Sequence, residues 1–404
     1  MKKIGNYISH IVKVYAHEFS LALHDPGVIL FFTFLPLAYP VIYSLIYNPE
    51  LAKNVEMIVV DHDRTPLSRE LARNMNATDE VWVTGYAANL GEARQAMDNR
   101  ECFAILEIPE GFERRIGNGE TGDVAMYCDM TLLLRYRGFL MASTNVMQAM
   151  GSELMTKDIN TYVPIVDTLI AVDPLMISDH SMGNLRSGFD SFIMPGVIIL
   201  ILHQCIVLAS GMAGGARREN RPNVRKYNRL VTLSPHVGGT MIAQTLCFFT
   251  ILLLPAIYMI HYVPLIFRFP MAGNLLEELV FIIPMIIACC GMGFVFQSMV
   301  TERESVFLTW VVTSVVFLLL SGLIWPRCDM YPVWRWIGSV CPSTWGVEGF
   351  IKMNSNGASL ADVRHEYCML WILAAFWWIC GYCCQRWVVR PAVAHKVAQI
   401  GANY

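Results

Sequence analysis

Six stretches of this chain contain no Asp, Glu, Lys or Arg: 26–49, 191–216, 230–267, 279–301, 305–326 and 367–385. A helix needs about 20 mostly apolar residues to cross a hydrocarbon core, so each stretch is long enough to do so. Within lipid, only helices or closed barrels satisfy every backbone N–H and C=O. The expected fold class is therefore an α-helical polytopic membrane protein with six transmembrane helices. Composition agrees: 55% of the residues are AVILMFWYC and only 16% are charged, with a mean hydropathy of +0.43. Low-complexity disorder, a collagen-like repeat and a cytosolic nucleic-acid binder are argued against, and no nucleic-acid partner is expected.

The formal net charge of −3 hides an asymmetry. Residues 48–188 carry 12 Lys/Arg against 21 Asp/Glu, net −9, and the remainder carries 18 against 12, net +6. The acidic part alternates apolar, β-rich runs with helical patterns. Strands are expected at 55–60, 81–84, 102–108 and 124–128, and helices at 67–75 and 90–99. Pro66 stands near the start of the first helix, where its missing N–H costs little. A longer helical pattern over 132–159 reads as a stalk returning the chain to the membrane. An α+β domain is thus expected to be inserted after the first span.

Orientation follows from short-loop charge. With both termini cytoplasmic, the inside segments hold Lys2, Lys3, Lys13, Arg217, Arg218, Arg221, Arg225, Lys226, Arg229, Arg303, Arg386, Arg390 and Lys396. The short outside loops hold Arg268, Arg327, Arg335, Lys352 and Arg364. That bias places 48–188 on the extracytoplasmic side. No compact apolar region leads into a cleavage site near Met1, so no removable signal peptide is expected. The layout is then an N-terminal interfacial helix over 1–27, with Ile8, Ile11, Val12, Tyr15, Phe19 and Leu23 near one face; a first span, 28–47; the extracytoplasmic domain, 48–188; five spans within 189–388; and a cytoplasmic tail, 389–404. The segment 213–236 links the second and third spans on the inside. An outer loop, 327–366, is dense in Trp and Pro and suits the interface or short re-entrant helices.

Chemistry-bearing motifs are few. There is no Gly-x-x-x-x-Gly-Lys-Ser/Thr loop, and Gly117-Asn118-Gly119-Glu120-Thr121-Gly122-Asp123 lacks the lysine that would reach phosphates. No Ser nucleophile elbow and no His-Glu-x-x-His helix occurs, so no catalytic residue, metal site or cofactor bound by this chain is expected. Asp61-His62-Asp63 reads as a strand-to-turn junction bonding its own backbone, and Cys380, Cys383 and Cys384 read as packing residues of the last span. His203 and Gln204 lie mid-span, where polar groups are costly; they either hydrogen-bond between helices or contact something passing along a membrane pathway. Cys328 and Cys341 share one compact outer loop and form the disulfide pair to test. The basic segment Arg217, Arg218, Glu219, Arg221, Arg225, Lys226 and Arg229, with Tyr227, Leu230 and Leu233 as apolar handles, is either a positive-inside anchor or a docking surface for a cytoplasmic partner.

Taken in order, several motifs resemble the permease subunits of ATP-binding-cassette exporters, specifically the bacterial ABC-2 family with a large extracytoplasmic domain after the first span. Met57-Ile58-Val59-Val60-Asp61-His62-Asp63-Arg64-Thr65-Pro66-Leu67-Ser68-Arg69-Glu70 looks like that family's strand, acidic turn and helix, and Ala104-Ile105-Leu106-Glu107-Ile108-Pro109-Glu110-Gly111-Phe112 like its strand ending in Pro-Glu-Gly-Phe. Arg218-Glu219, Leu230 and Ser234-Pro235 are similar to its coupling segment, with Arg221-Pro222-Asn223 standing where Gly-Thr is usual. Leu320-Ser321-Gly322, Trp325-Pro326, Tyr331-Pro332-Val333-Trp334, Cys341-Pro342-Ser343-Thr344 and Glu348-Gly349 resemble its last outer loop.

The resemblance implies a half-transporter in the bacterial cytoplasmic membrane. A second permease copy or a sibling permease, and separate cytoplasmic ABC ATPase subunits that use ATP and Mg, would complete it. The ATPase would dock on 213–236 and the N-terminal helix, and a periplasmic adaptor on the acidic domain. Cargo in the family is amphipathic drugs, lipids or glycolipids, so membrane lipids are partners too. The rival reading is a non-transporting scaffold or receptor presenting its acidic domain; six spans with intramembrane polar residues exceed what anchoring needs.

Overall fold

The computed structural model describes residues 2–24, 26–47, 53–131, 133–162, 188–218, 231–269, 271–300 and 305–395. The chain divides into two compact units, Met1–Asn48 with Ser181–Tyr404, and Pro49–His180. The first unit opens with α1 (Lys2–His24), α2 (Pro26–Ile29), a π-helical turn (Leu30–Phe34) and α3 (Leu35–Tyr47).

The second unit is a four-stranded sheet with helices on both faces. Its elements run β1 (Val55–Asp61), α4 (Pro66–Asn76), β2 (Val81–Tyr86), α5 (Leu90–Asp98), β3 (Ala104–Ile108), α6 (Phe112–Gly117), β4 (Ala125–Cys128) and α7 (Leu133–Tyr162). Strand order is β2-β1-β3-β4; β1 is parallel to β2 and β3, and β4 is antiparallel to β3. Strand alternation sends successive side chains to opposite faces. Val55, Met57, Val59 and Leu106 therefore pack with Leu71 and Met75 of α4, Phe112 of α6 and Phe139 of α7. Val60 and Ile105 pack on the other side with Ala93 of α5. Local chemistry starts the helices: the Thr65 side chain caps α4 by accepting from Ser68 N, and Asn89 caps α5 by accepting from Glu92 N. All four strands lie within a few residues of where periodicity puts them. The six-residue α6 escapes periodicity because it is too short to show one.

The first unit resumes with α8 (Phe189–Arg218), α9 (Val237–Ile257), a π turn (Tyr258–Tyr262), α10 (Val263–Phe267), α11 (Leu275–Met299) and α12 (Ser305–Leu320). A 3-10 turn (Arg327–Asp329), α13 (Pro332–Ser339), α14 (Pro342–Asn354), α15 (Arg364–Cys384) and a last π turn (Gln385–Val389) complete it. Among the described residues, four helices are long and apolar enough to cross a membrane: Phe189–Gly215, Val237–Phe267, Leu275–Met299 and Arg364–His395. Leu30–Ile46 and Ser305–Leu320 are apolar but shorter. At 1.5 Å per residue α12 extends about 24 Å, less than the ~30 Å hydrocarbon core. Charge-free length is thus a looser measure of a span than helical length: the 305–326 stretch leaves helix at Leu320, and the 26–49 stretch is interrupted by a π turn. The hub is α8, 89% of whose apolar window is buried inside the protein, against 22% for α15. It packs against α3, α11, α12 and α14, so its mid-helix residues are enclosed by protein.

Candidate functional site

The base of α9 and the helix α1 form one joint. Ser234-Pro235 interrupts the backbone just ahead of α9, and Ser234 is buried there. His10 Nε2 of α1 lies 3.2 Å from Ser234 Oγ and 3.2 Å from Thr240 Oγ1. Ser234 Oγ accepts from His236 N at 3.2 Å, and Thr240 Oγ1 donates to Val231 O at 3.2 Å, so the hydroxyls are oriented from both sides. The imidazole of His236 stands 5.5 Å from that of His10 and meets the Tyr7 ring edge-on at 5.4 Å. Burial, then the neighbouring His236, holds His10 below its ordinary pKa of 6.5. One turn and more along, Val14 packs with Val231 and Ala243, Glu18 accepts from Gln244 Nε2, and Tyr15 donates to Thr250 at 3.2 Å.

Of the residues expected at a partner-docking surface, the structure thus places Ser234, with Pro235 exposed beside it, against α1. Arg217 and Arg218 end α8. Glu219, Arg221, Arg225, Tyr227 and Leu230 lie outside the described residues. Sequence reasoning assigned no role to His10, Glu18, Thr240 or Gln244, which make the joint; two are polar residues on α1 and two lie near the start of an apolar helix, and no local pattern pairs them across more than 200 positions.

The 327–366 segment carries a second constellation. Arg327 donates through Nη1 to Glu348 Oε2 at 2.6 Å and through Nη2 to Ser339 Oγ at 2.8 Å, and its guanidinium lies 4.2 Å from the Trp345 ring centroid. Lys352 bridges Glu366 at 2.6 Å and Glu348 at 3.4 Å. One connected chain of charge therefore ties the 3-10 turn, α13, α14 and α15. Pro342 is buried at the first turn of α14, where a proline is tolerated. Trp325 and Trp334 are exposed, and Pro326 leads into the 3-10 turn. Glu348 was singled out by sequence, and its i,i+4 partner Lys352 was legible; Arg327 was not. Cys328 is exposed, Cys341 is buried, and both are free thiols in this structure, so the pair singled out for testing is not bridged here.

Two further expectations concern carboxylates and mid-span polar groups. Asp61 Oδ1 accepts from Asp63 N and Arg64 N, and Asp63 accepts from Gly111 N at 2.7 Å and Glu113 N at 3.0 Å, closing the turn on backbone donors. Gly111 suits that position because its φ is +80°. Desolvation raises the Asp63 pKa, but the N–H groups of Glu113, Gly111 and Phe112 with the Thr65 hydroxyl outweigh it and hold the carboxyl below its ordinary range. His203 and Gln204 of α8 are buried, and neither has a hydrogen-bond partner among the described residues. The interhelical hydrogen bond that was one reading of the pair is therefore not made here.

Comparison with known proteins adds two findings. The profile described as ABC-2 family transporter protein matches residues 26–382. The linearmycin resistance permease protein LnrN of Bacillus subtilis (strain 168) is 21% identical over 373 residues, which cover 87% of this chain and 93% of that protein.

Proposed function

The chain belongs to the ABC-2 family of transporter proteins, and from that we propose that it is the permease subunit of an ATP-driven exporter carrying amphipathic small molecules, lipids or glycolipids out across the cytoplasmic membrane. The observation that carries the reading is the extent of the match, which spans both compact units, 26–382. The relative named as a resistance permease aligns over nearly its whole length and supports outward transport of a harmful compound.

In this reading six helices span the bilayer, the two shorter ones tilted little or thinning it locally, both termini are cytoplasmic, and 48–188 is extracytoplasmic. A second permease copy or sibling completes the pathway, and a periplasmic adaptor docks on the acidic domain. ATP and Mg act in a separate cytoplasmic ATPase. That ATPase contacts Arg217, Arg218, Glu219, Arg221, Arg225, Tyr227 and Leu230, and its closure is felt by α1 through Ser234 and His10. Such a coupling works only if the nucleotide-bound ATPase favours one arrangement of the permeases over another.

The test is affinity purification of the tagged chain from its native host in mild detergent, with mass spectrometry of what accompanies it and an ATPase assay on the complex. Recovery of a soluble ATP-binding-cassette ATPase with nucleotide turnover is the expected result. Recovery of the chain alone, without turnover across several detergents, would favour a scaffold instead. Replacing Glu219 or Arg218 should weaken that association while leaving membrane insertion intact.

A further inference from the structure

The seam between α8 and α12 is built around an unsatisfied pair. The two helices run antiparallel: Gly211 faces Val306, His203 faces Phe317, and Gly196 faces Leu323 just beyond α12. A Cβ at Gly211 would sit 2.9 Å from Val306 Cγ1, and one at Gly196 would sit 2.6 Å from Leu323 Cδ1. Both ends of the seam are therefore closed by glycine. Midway, the His203 ring stacks on Phe317 at 4.7 Å and 10°, so that its nitrogens lie at the ring edge and not against the Phe317 face.

His203 is 0% exposed and Gln204 8%, and among the described residues Nδ1, Nε2, Gln204 Oε1 and Gln204 Nε2 have no hydrogen-bond partner. On α12 the indole Nε1 of Trp310, packed in the cluster of Leu208 and Met212, is likewise unpartnered. Buried polar groups are almost always paired, because each orphan forfeits its hydration. Four orphaned atoms on consecutive residues of α8 are thus left for a partner that none of the described residues supplies.

The chemistry of the seam narrows that partner. Neither 191–216 nor 305–326 contains an Asp, Glu, Lys or Arg, so an ion would enter without a counter-charge, at prohibitive cost in a low-dielectric site. A neutral imidazole and a carboxamide together offer both donors and acceptors. We infer that His203 and Gln204 form a binding site for an uncharged hydrogen-bonding group, a hydroxyl or amide, carried on an apolar molecule that enters the α8–α12 seam from the membrane. The site rests on the reading of the chain as a permease and specifies the class of cargo: neutral polar heads are held, charged heads are not.

The experiment uses the full chain in lipid nanodiscs with two photoreactive probes, a diazirine-bearing hexadecanol and the diazirine hexadecane lacking the hydroxyl. Peptides covering 196–211 and 306–323 should be labelled about tenfold more strongly by the alcohol, the effect of roughly one net hydrogen bond, and unlabelled hexadecanol should compete. His203→Phe, which keeps a ring on Phe317, combined with Gln204→Leu should bring the two probes to equal labelling. If that double variant fails to fold, Gln204→Leu alone decides, since it leaves the ring stack untouched. Equal labelling of the unaltered chain by both probes, or an alcohol preference that survives the substitutions, overturns the site and leaves structural water as the partner of the orphaned atoms. Co-purification of the ATPase is scored on the same variants, so loss of the permease reading and loss of the site are separate outcomes.

Discussion

Ser234 Oγ and His10 Nε2, 224 positions apart in the chain, stand 3.2 Å from each other. The end of the 213–236 segment thus meets the N-terminal helix through one imidazole nitrogen, and displacement of either element is felt by the other. Ser234→Ala or His10→Ala should remove about 0.5–1.5 kcal/mol from this joint. The measurement is hydrogen exchange of α1 in the intact permease, where protection should fall roughly two- to tenfold; unchanged protection in both variants would show that the contact carries no force.

The same joint should depend on pH. Because His10 is held below 6.5, the folded protein binds fewer protons there than the unfolded chain. Its contribution is then complete above 6.5 and is lost as pH drops below that value toward the folded pKa. Exchange protection of α1 should decline on acidification through this range in the unaltered chain and lose that dependence in His10→Asn.

Asp63 accepts from Gly111 N and Glu113 N and so joins the end of β1 to the start of α6. Asp63→Ala should cost the sheet unit about 1–3 kcal/mol, since backbone donors lose a charged acceptor. With its pKa lowered from 3.8, the carboxylate contributes above 3.8 and the contribution is lost as pH falls below it. Limited proteolysis of the full chain within 53–131 reads both effects; equal resistance of the variant and the parent would refute them.

The pair Arg327–Glu348 should couple energetically. Arg327 is 15% exposed and Glu348 35%, so solvent screening limits the pair to about 1 kcal/mol. A double-mutant cycle on Arg327→Met and Glu348→Gln, followed by thermal unfolding in detergent, should return an interaction of that size. Strict additivity would mean that Trp345 and Ser339, not Glu348, hold the guanidinium.

Cys328 is exposed and free and Cys341 is buried. A membrane-impermeant maleimide applied to intact cells should label Cys328 without prior reduction and spare Cys341 if 327–366 faces outward. Labelling that needs a reductant would restore the disulfide, and labelling only after lysis would invert the topology.

Much of the sheet unit was legible because its signals are local. Val55, Met57 and Val59 alternate with half-buried neighbours along β1, and Thr65-Pro66 announces a helix start; in the other unit Glu348 and Lys352 are likewise one helical turn apart. The joint between α1 and α9 was less so. Ser234-Pro235 could be marked as a break, but nothing near it in sequence points to His10, Thr240 or the Glu18–Gln244 pair. Likewise, His203 and Gln204 could be flagged as costly, yet whether they find partners depends on what α12 places opposite them, and α12 places Phe317.

Composition and charge spacing by themselves determined that this chain lives in a membrane, with an acidic α+β part set between apolar helices. Those properties follow from transfer free energies, which act residue by residue and sum over a segment. Tertiary structure alone decided which helix is the hub, which apolar stretches are long enough as helices, and which polar atoms are paired. Those outcomes are set by directional contacts a few ångströms long between residues hundreds of positions apart, and a hydrogen bond to Ser234 or its lack at His203 leaves no trace in local periodicity.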